Sequence, residues 1–125
     1  MAQAFQDLTV WQRAMELSES IYILTKTFPK DEIYGLTSQL RRAGISIASN
    51  IAEGRGRGTT GEFKQFLCIA QGSTYEVHTQ LLLAKRLKIG DEEQNRKAEA
   101  LCIETSKMLG AFITSLGKTK LGARS

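Results

Sequence analysis

Apolar side chains along the chain recur three and four positions apart, the spacing of one face of an α-helix, and they do so in four separate runs. The first run predicts a helix over about Asp7–Thr27. Val10, Ala14, Leu17, Ile21, Leu24 and Phe28 form one stripe, with Trp11, Met15, Ser18 and Tyr22 beside it. Thr9 and Gln12 have the spacing of a capping box, and Pro29 closes the run because a proline pushes the preceding residue out of helical geometry. Asp31 is placed to cap a second helix over about Glu32–Glu53, carrying Ile33, Leu36, Leu40, Ala43, Ile47 and Ile51.

Gly54, Gly56, Gly58 and Gly61 then interrupt the pattern, each costing a helix about 1 kcal/mol relative to alanine. Thr59 with Glu62 opens a third helix over about Gly61–Leu87. Its main stripe is Phe63, Leu67, Ala70, Val77, Leu81 and Ala84, with a second apolar set, Phe66, Ile69, Leu83 and Leu87, on a neighbouring face. Gly90 stops this helix and Asp91 starts a fourth, striped by Leu101, Thr105, Met108, Phe112 and Leu116. Four long helices with short connections, and no strand-like alternation, predict an all-α fold: an up-down-up-down antiparallel four-helix bundle. The bundle domain spans residues 1–116, and residues 117–125 form a flexible basic tail.

Composition narrows the class. A chain of 125 residues suits one domain and can hide roughly two-thirds of its extended surface. No apolar run nears the ~20 residues of a membrane span and the N-terminus lacks a signal-peptide pattern, so a cytoplasmic protein with no membrane partner is expected. The net charge is +4, but three of the seventeen basic residues, Lys118, Lys120 and Arg124, crowd the tail. Against thirteen acidic residues, the body carries only +1, so affinity for a polyanion has to come from clustering or repetition.

Helix two carries a polar line as well as an apolar one. Gln39, Arg42, Ser46, Asn50 and Glu53 recur at steps of three and four beside Gly44, Ala48 and Ala52, which let another backbone approach. Water, a subunit interface or an internal ion pair can each account for such a line. Turning helices two and three about Gly58 brings Arg42 to the level of Thr74 and Glu76, within reach of a pair with Glu76. Cys68 and Cys102 are expected to be buried small hydrophobes. A turn about Ile89 leaves their levels ~13 Å apart, too far for a disulfide.

Catalytic and metal constellations are missing from the sequence. A di-iron bundle needs two Glu-x-x-His pairs, yet the one histidine, His78, follows Glu76 by two residues. The cysteines have no evident basic partner, and Gly54-Arg55-Gly56-Arg57-Gly58 lacks both the spacing and the preceding strand of a phosphate loop. Gly54 reads as the residue just past a helix end, free to take positive φ. Arg55 and Arg57 read equally as solubilising loop charges or as phosphate contacts.

The segments FQDLTVWQRAMEL, FPKDEIYGLTSQLRRAGISIASNIAEG and EFKQFLCIAQGSTYEVHTQLLLA together resemble the four-helix-bundle proteins associated with 23S rRNA intervening sequences. The likeness runs from about Phe5 to Leu116 and is most specific in Gln39-Leu40-Arg41-Arg42, Asn50-Ile51-Ala52-Glu53-Gly54 and Gly72-Ser73 with Glu76. Accessory proteins of diversity-generating retroelements, which work beside a reverse transcriptase, look similar. The resemblance implies a ring-like homopentamer with a role in binding RNA or DNA and no catalytic residues. Two positions depart from the family pattern: Ala48 stands where proline is frequent, and Arg55 where an aromatic is common.

On that basis the expected function is non-enzymatic, with no metal or other cofactor. Nucleic acid is expected to meet Arg41, Arg42, Arg55, Arg57, Lys64, Lys85, Arg86 and Lys88 through its phosphates, weak contacts that repetition in an oligomer multiplies. Contacts between copies are expected from Gln39, Arg42, Ser46, Asn50, Glu53, Phe66 and Ile69. The alternative is a scaffold that docks on a partner polymerase or reverse transcriptase.

Overall fold

A computed structural model describes the backbone of residues 4–124 and the side chains of residues 4–117. Four helices occur among the described residues: α1 Thr9–Thr25, α2 Leu36–Arg55, α3 Thr60–Arg86 and α4 Glu92–Arg124, with single 3₁₀ turns at Phe5–Asp7 and Lys30–Glu32. Among the described residues each helix runs closest to its neighbours in the cycle α1, α2, α3, α4 and back to α1. That is the antiparallel square expected of short links between long helices.

The buried stripes of α1, α2 and α3 follow the predicted ones. Leu17, Ile21, Leu24, Leu40, Ile47, Ile51, Leu67 and Leu81 are wholly inaccessible to water, and burying each such side chain is worth about 1.5–3 kcal/mol. On α4 the stripe is rotated from the prediction. Ala98, Cys102, Thr105 and Leu109 fill the core, while Leu101, Met108, Phe112 and Leu116 pack at its margin. The buried hydroxyls of Thr74 and Thr105 are satisfied within their own helices, through the carbonyls of Gln71 and Leu101, each at 2.7 Å.

The helix ends hold the main corrections. Thr9 is the first helical residue rather than a cap, and Leu8 occupies the capping position, so no Thr9–Gln12 box forms. The second helix starts later than predicted, after a 3₁₀ turn, and Glu32 rather than Asp31 accepts its leading amide, Leu36 N–H, at 3.0 Å. It also ends later, at Arg55. Gly54 is therefore a buried helical residue packed on α3 and not a terminus; the positive φ of this link belongs to Gly58, at 92°.

Two capping predictions hold. Thr59 Oγ1 accepts from Glu62 N–H at 3.2 Å and donates to Glu62 Oε1 at 3.0 Å, and Asp91 Oδ2 accepts from Gln94 N–H at 2.9 Å. The backbone helix of α4 continues through Gly117 to Arg124, past the point where the sequence predicts a tail. Side chains of residues 118–125 lie outside the described residues. Cys102 is buried as expected, but Cys68 is exposed, because it sits on the side of α3 turned away from the core; both thiols are free.

Candidate nucleic-acid interface

The link between α2 and α3 is shaped by one close approach. A β-carbon on Gly54 would lie 2.5 Å from Phe66 Cβ, so only glycine lets the last turn of α2 lie against α3. The arginines that follow are laid over aromatic rings. Arg55 sits 5.8 Å from the centre of Phe63, which packs edge-on against Phe112 at 5.3 Å, and Arg57 sits 4.9 Å from the centre of Phe66. Arg57 also pairs with Glu53 at 3.0 Å. Stacking of this kind is worth about 0.5–1 kcal/mol at an exposed site, enough to bias where a guanidinium rests while leaving its edge open. Lys64 lies one helical turn on, beside Gly117 of α4.

The opposite end of the bundle carries the other cations. The chain leaves α3 through a Schellman turn: Ile89 N–H reaches Ala84 O at 2.9 Å and Lys88 N–H reaches Lys85 O at 3.1 Å. The left-handed position of that turn is Lys88, with φ 57°, rather than a glycine. Gly90 follows at φ 86° and backs so tightly onto Phe28 that a β-carbon would come within 2.5 Å of the ring. Thr27 Oγ1 accepts from Asp91 N–H at 2.9 Å, tying the end of α1 to the start of α4.

Across the α3–α4 seam, Glu99 holds two partners. His78 Nε2 lies 2.9 Å from one carboxylate oxygen, and Lys85 Nζ donates to the other at 3.2 Å. The hydrogen bond from His78 holds the Glu99 carboxyl below its usual 4.5; partial burial works against the shift and Lys85 adds to it. Beneath, the Cys102 thiol bonds to Thr74 O at 3.2 Å, and burial, with Glu99 nearby, pushes its pKa up to about 12.

A cleft of about 420 Å³ opens where α3 ends and α4 begins, lined by Ala84, Lys85, Lys88, Ile89, Asp91, Glu92, Asn95 and Arg96. Arg96 pairs with Glu93 on its outer side.

The two arginines at the middle of α2 part company. Arg41 points to α1, donating Nε–H to Thr25 Oγ1 at 2.8 Å and lying 4.3 Å from the Tyr22 ring centre. Arg42 lies on the same line of α2 as Ser46 but bonds Gln39 Oε1 at 2.7 Å, in place of the Glu76 pair that simple registry suggests. The register is set by a 2.9 Å bond between the hydroxyls of Ser46 and Ser73, and Asn50 Nδ2 donates to Ser46 O at 2.8 Å. The polar line thus lies along the α2–α3 seam, largely bonded to itself. Beside it on α3, Ile69, Leu83 and Leu87 are 49%, 45% and 57% exposed, while Phe66 is half-buried.

The structure therefore brings Arg55, Arg57 and Lys64 together at one end and Lys85, Arg86 and Lys88 at the other. The 21 residues of α3 from Lys64 to Lys85 separate them by ~32 Å. Sequence reasoning missed the His78–Lys85–Glu99 cluster and the ion pair of Arg13 with Glu104 at 3.1 Å, which links α1 to α4. The seven-residue step from His78 to Lys85 is the one available signal for the first, since it places both on one face of α3. Among the described residues, no group of three or more His, Cys, Asp or Glu is arranged to hold a metal ion. No helix of the described residues is long and apolar enough to cross a membrane.

These features define a small all-α bundle built around a polar α2–α3 seam with cationic ends. The model of the 23S rRNA-intervening sequence protein family matches residues 6–111, and the chain belongs to that family. A solved protein with unknown function from the S23 ribosomal protein family of Bacteroides thetaiotaomicron has the same fold. It aligns with a TM-score of 0.77 and 25% identity, over 84% of this chain and 98% of that one. Neither description names an enzymatic activity or mentions a retroelement accessory protein, and no curated protein matches the chain.

Proposed function

We propose that this chain is a non-enzymatic, self-associating protein that holds RNA or DNA by its phosphates. The observation that carries the reading is the state of its cations. Arg41, Arg42, Arg55, Lys64, Arg86 and Lys88 have no salt bridge among the described residues, so a phosphate gains their charge without breaking an ion pair. Arg57 and Lys85 share theirs with Glu53 and Glu99. RNA is favoured by the family description, which ties its members to 23S rRNA intervening sequences.

A body of charge +1 needs repetition, which a ring of five copies supplies. The α2–α3 seam supports such packing, because its polar line spends its hydrogen bonds internally while Ile69, Leu83 and Leu87 stay open to water. Filter binding of single-stranded RNA at about 50 and 200 mM salt is expected to show affinity falling steeply with salt. Sedimentation is expected to show a particle several times the 13.8 kDa protomer. Salt-insensitive or absent binding, or protomers alone at all concentrations, overturns the reading.

A second reading, a scaffold docked on a polymerase or reverse transcriptase, is favoured by one observation: an apolar groove between α1 and α2 lined by Trp11, Met15, Ile45, Ala48 and Ala52. Charge reversal at Arg55 and Arg57 separates the two. A fall in affinity for strands long enough to reach both ends of the bundle supports the first, and unchanged affinity with the partner complex intact supports the second.

A further inference from the structure

We propose that the cleft between the end of α3 and the start of α4 binds a single nucleotide, with Lys85, Lys88 and Arg96 receiving its phosphate and Asn95 Oδ1 accepting a hydrogen bond from its base. The proposal deepens the nucleic-acid reading, and rests on it only for the nucleotide being part of a strand. Asn95 is the starting point. It lines the cleft, is 3% exposed, and donates Nδ2–H to Leu81 O at 3.1 Å, yet its Oδ1 has no partner among the described residues. A buried carbonyl oxygen without a donor is rare in a folded protein and marks a place where a ligand's N–H or O–H improves the structure. The two polar atoms of an amide diverge by about 120°, so the bond from Nδ2 to the Leu81 carbonyl leaves Oδ1 to be met by a donor of its own.

The rest of the lining suits the other parts of a nucleotide. Among the described residues Lys88 has no ion pair, while Lys85 and Arg96 are paired with Glu99 and Glu93, which do not line the cleft. Asp91 caps α4, its Oδ2 accepting from Gln94 N–H and its carbonyl from Asn95 N–H, which leaves the first-turn amides of Glu92 and Glu93 as donors available to an anion. Ala84 and Ile89 give an apolar wall for a ring face, and the carboxylates of Asp91 and Glu92 are acceptors suited to ribose hydroxyls. At about 420 Å³ the space is far larger than a phosphate ion needs. Charge alone calls for an anion; the orphan acceptor, the apolar wall and the carboxylates call for one that also carries a base and a sugar.

The test is an amide NMR titration of the full chain with AMP, GMP, CMP and UMP, with adenosine and inorganic phosphate as controls, and in parallel with a 5′-phosphorylated single-stranded oligonucleotide. Saturable shifts confined to residues 84–96, stronger for a nucleotide than for either control, are expected. Lys88→Glu, a surface change, is expected to weaken nucleotide binding about tenfold, the loss of one charge-assisted contact. Asn95→Ala is expected to weaken binding of the nucleotide but not of phosphate. Shifts that inorganic phosphate reproduces in full, or none at all, overturn the proposal, as does an unchanged affinity in Lys88→Glu. Saturation by mononucleotides without the oligonucleotide identifies free nucleotide as the ligand, and saturation by both identifies a strand end. Oligonucleotide binding by filter assay that leaves residues 84–96 unshifted removes the pocket while the wider reading stands.

Discussion

Gly54 of α2 and Phe66 of α3 meet so closely that the space for a β-carbon on one is occupied by the β-carbon of the other, 2.5 Å away. Two opposed effects act on Gly54→Ala. Alanine favours the helix by about 1 kcal/mol, whereas overpacking a buried contact costs about 1–3 kcal/mol. The obstructing atom is fixed to the α3 backbone and cannot swing aside, so the clash wins. Urea unfolding is expected to show a lower midpoint; a midpoint at or above that of the parent disproves the account. Gly44→Ala meets only the tip of Ile21, at 2.7 Å from Cδ1, a flexible end that can rotate, and is expected to cost less.

The same glycine shows where the sequence stops being legible. Four helices and their order follow from local spacing, and so do the Thr59–Glu62 and Asp91 caps, because each is decided within a few residues of chain. Gly54 looks like a helix stop in that local frame, and only Phe66, twelve positions on and across a turn, reveals it as a packing contact. The start of α2 departs from the local pattern for a related reason: the Glu32 carboxylate, not the better capping type Asp31, accepts from the first amide. On α4, Leu101 and Met108 are as apolar as the true core residues, so composition could not distinguish the stripe of Cys102 and Leu109 from its flank. As for the candidate site, the cations were visible but their division between two ends of the bundle was not, because it depends on which way each helix runs.

Lys88 occupies a left-handed backbone position that glycine fills without strain. Lys88→Gly is expected to raise stability by about 0.5–1 kcal/mol, part of the strain relief being lost to the greater freedom of glycine in the unfolded chain. The same change removes a cation that lines the α3–α4 cleft and has no ion pair among the described residues, and is expected to weaken binding of nucleic acid. Thermal unfolding and filter binding on one preparation check both signs. A fall in stability shows that the lysine side chain makes a supporting contact and disproves the strain argument.

The lowered pKa of Glu99 makes part of the stability acid-labile. A carboxyl that binds its proton less tightly when folded stabilises the protein above its unfolded pKa, near 4.5, and loses that contribution as pH falls through the lower folded value. Stability of the parent is therefore expected to decline below about pH 4.5 more steeply than that of Glu99→Gln, with the two curves converging at the acid end. Parallel acid limbs disprove the coupling to His78 and Lys85.

The two cysteines are expected to differ sharply in reactivity. Cys102 is 1% exposed with its thiol pKa raised from 9.0 to about 12, whereas Cys68 is open to solvent. At neutral pH a thiol reagent is expected to modify one site rapidly, and peptide mapping to place it at Cys68. The raised pKa of Cys102 also means that the unfolded chain gains by ionising first, so stability is expected to fall as pH rises from 9.0 towards 12, less so in Cys102→Ala. Rapid labelling of Cys102 in the native protein contradicts the burial.

Binding strength is expected to depend on oligonucleotide length through the spacing of the two cationic ends. Lys64 and Lys85 are separated by ~32 Å of α3, and a stacked strand advances ~3.4 Å per nucleotide, so about ten nucleotides are needed to touch both ends of one protomer. Shorter strands engage one end, with Arg55, Arg57 and Lys64 or with Lys85, Arg86 and Lys88, and behave as monovalent ligands. Once both ends are reached, the second contact becomes intramolecular and affinity rises without any new chemistry. A titration of single strands from about six to sixteen nucleotides is therefore expected to show a step near ten. Reversing the charge of Arg55 and Arg57 is expected to flatten that step while leaving short strands bound at the other end. A smooth increase with length in both proteins means that the two ends do not act on one strand.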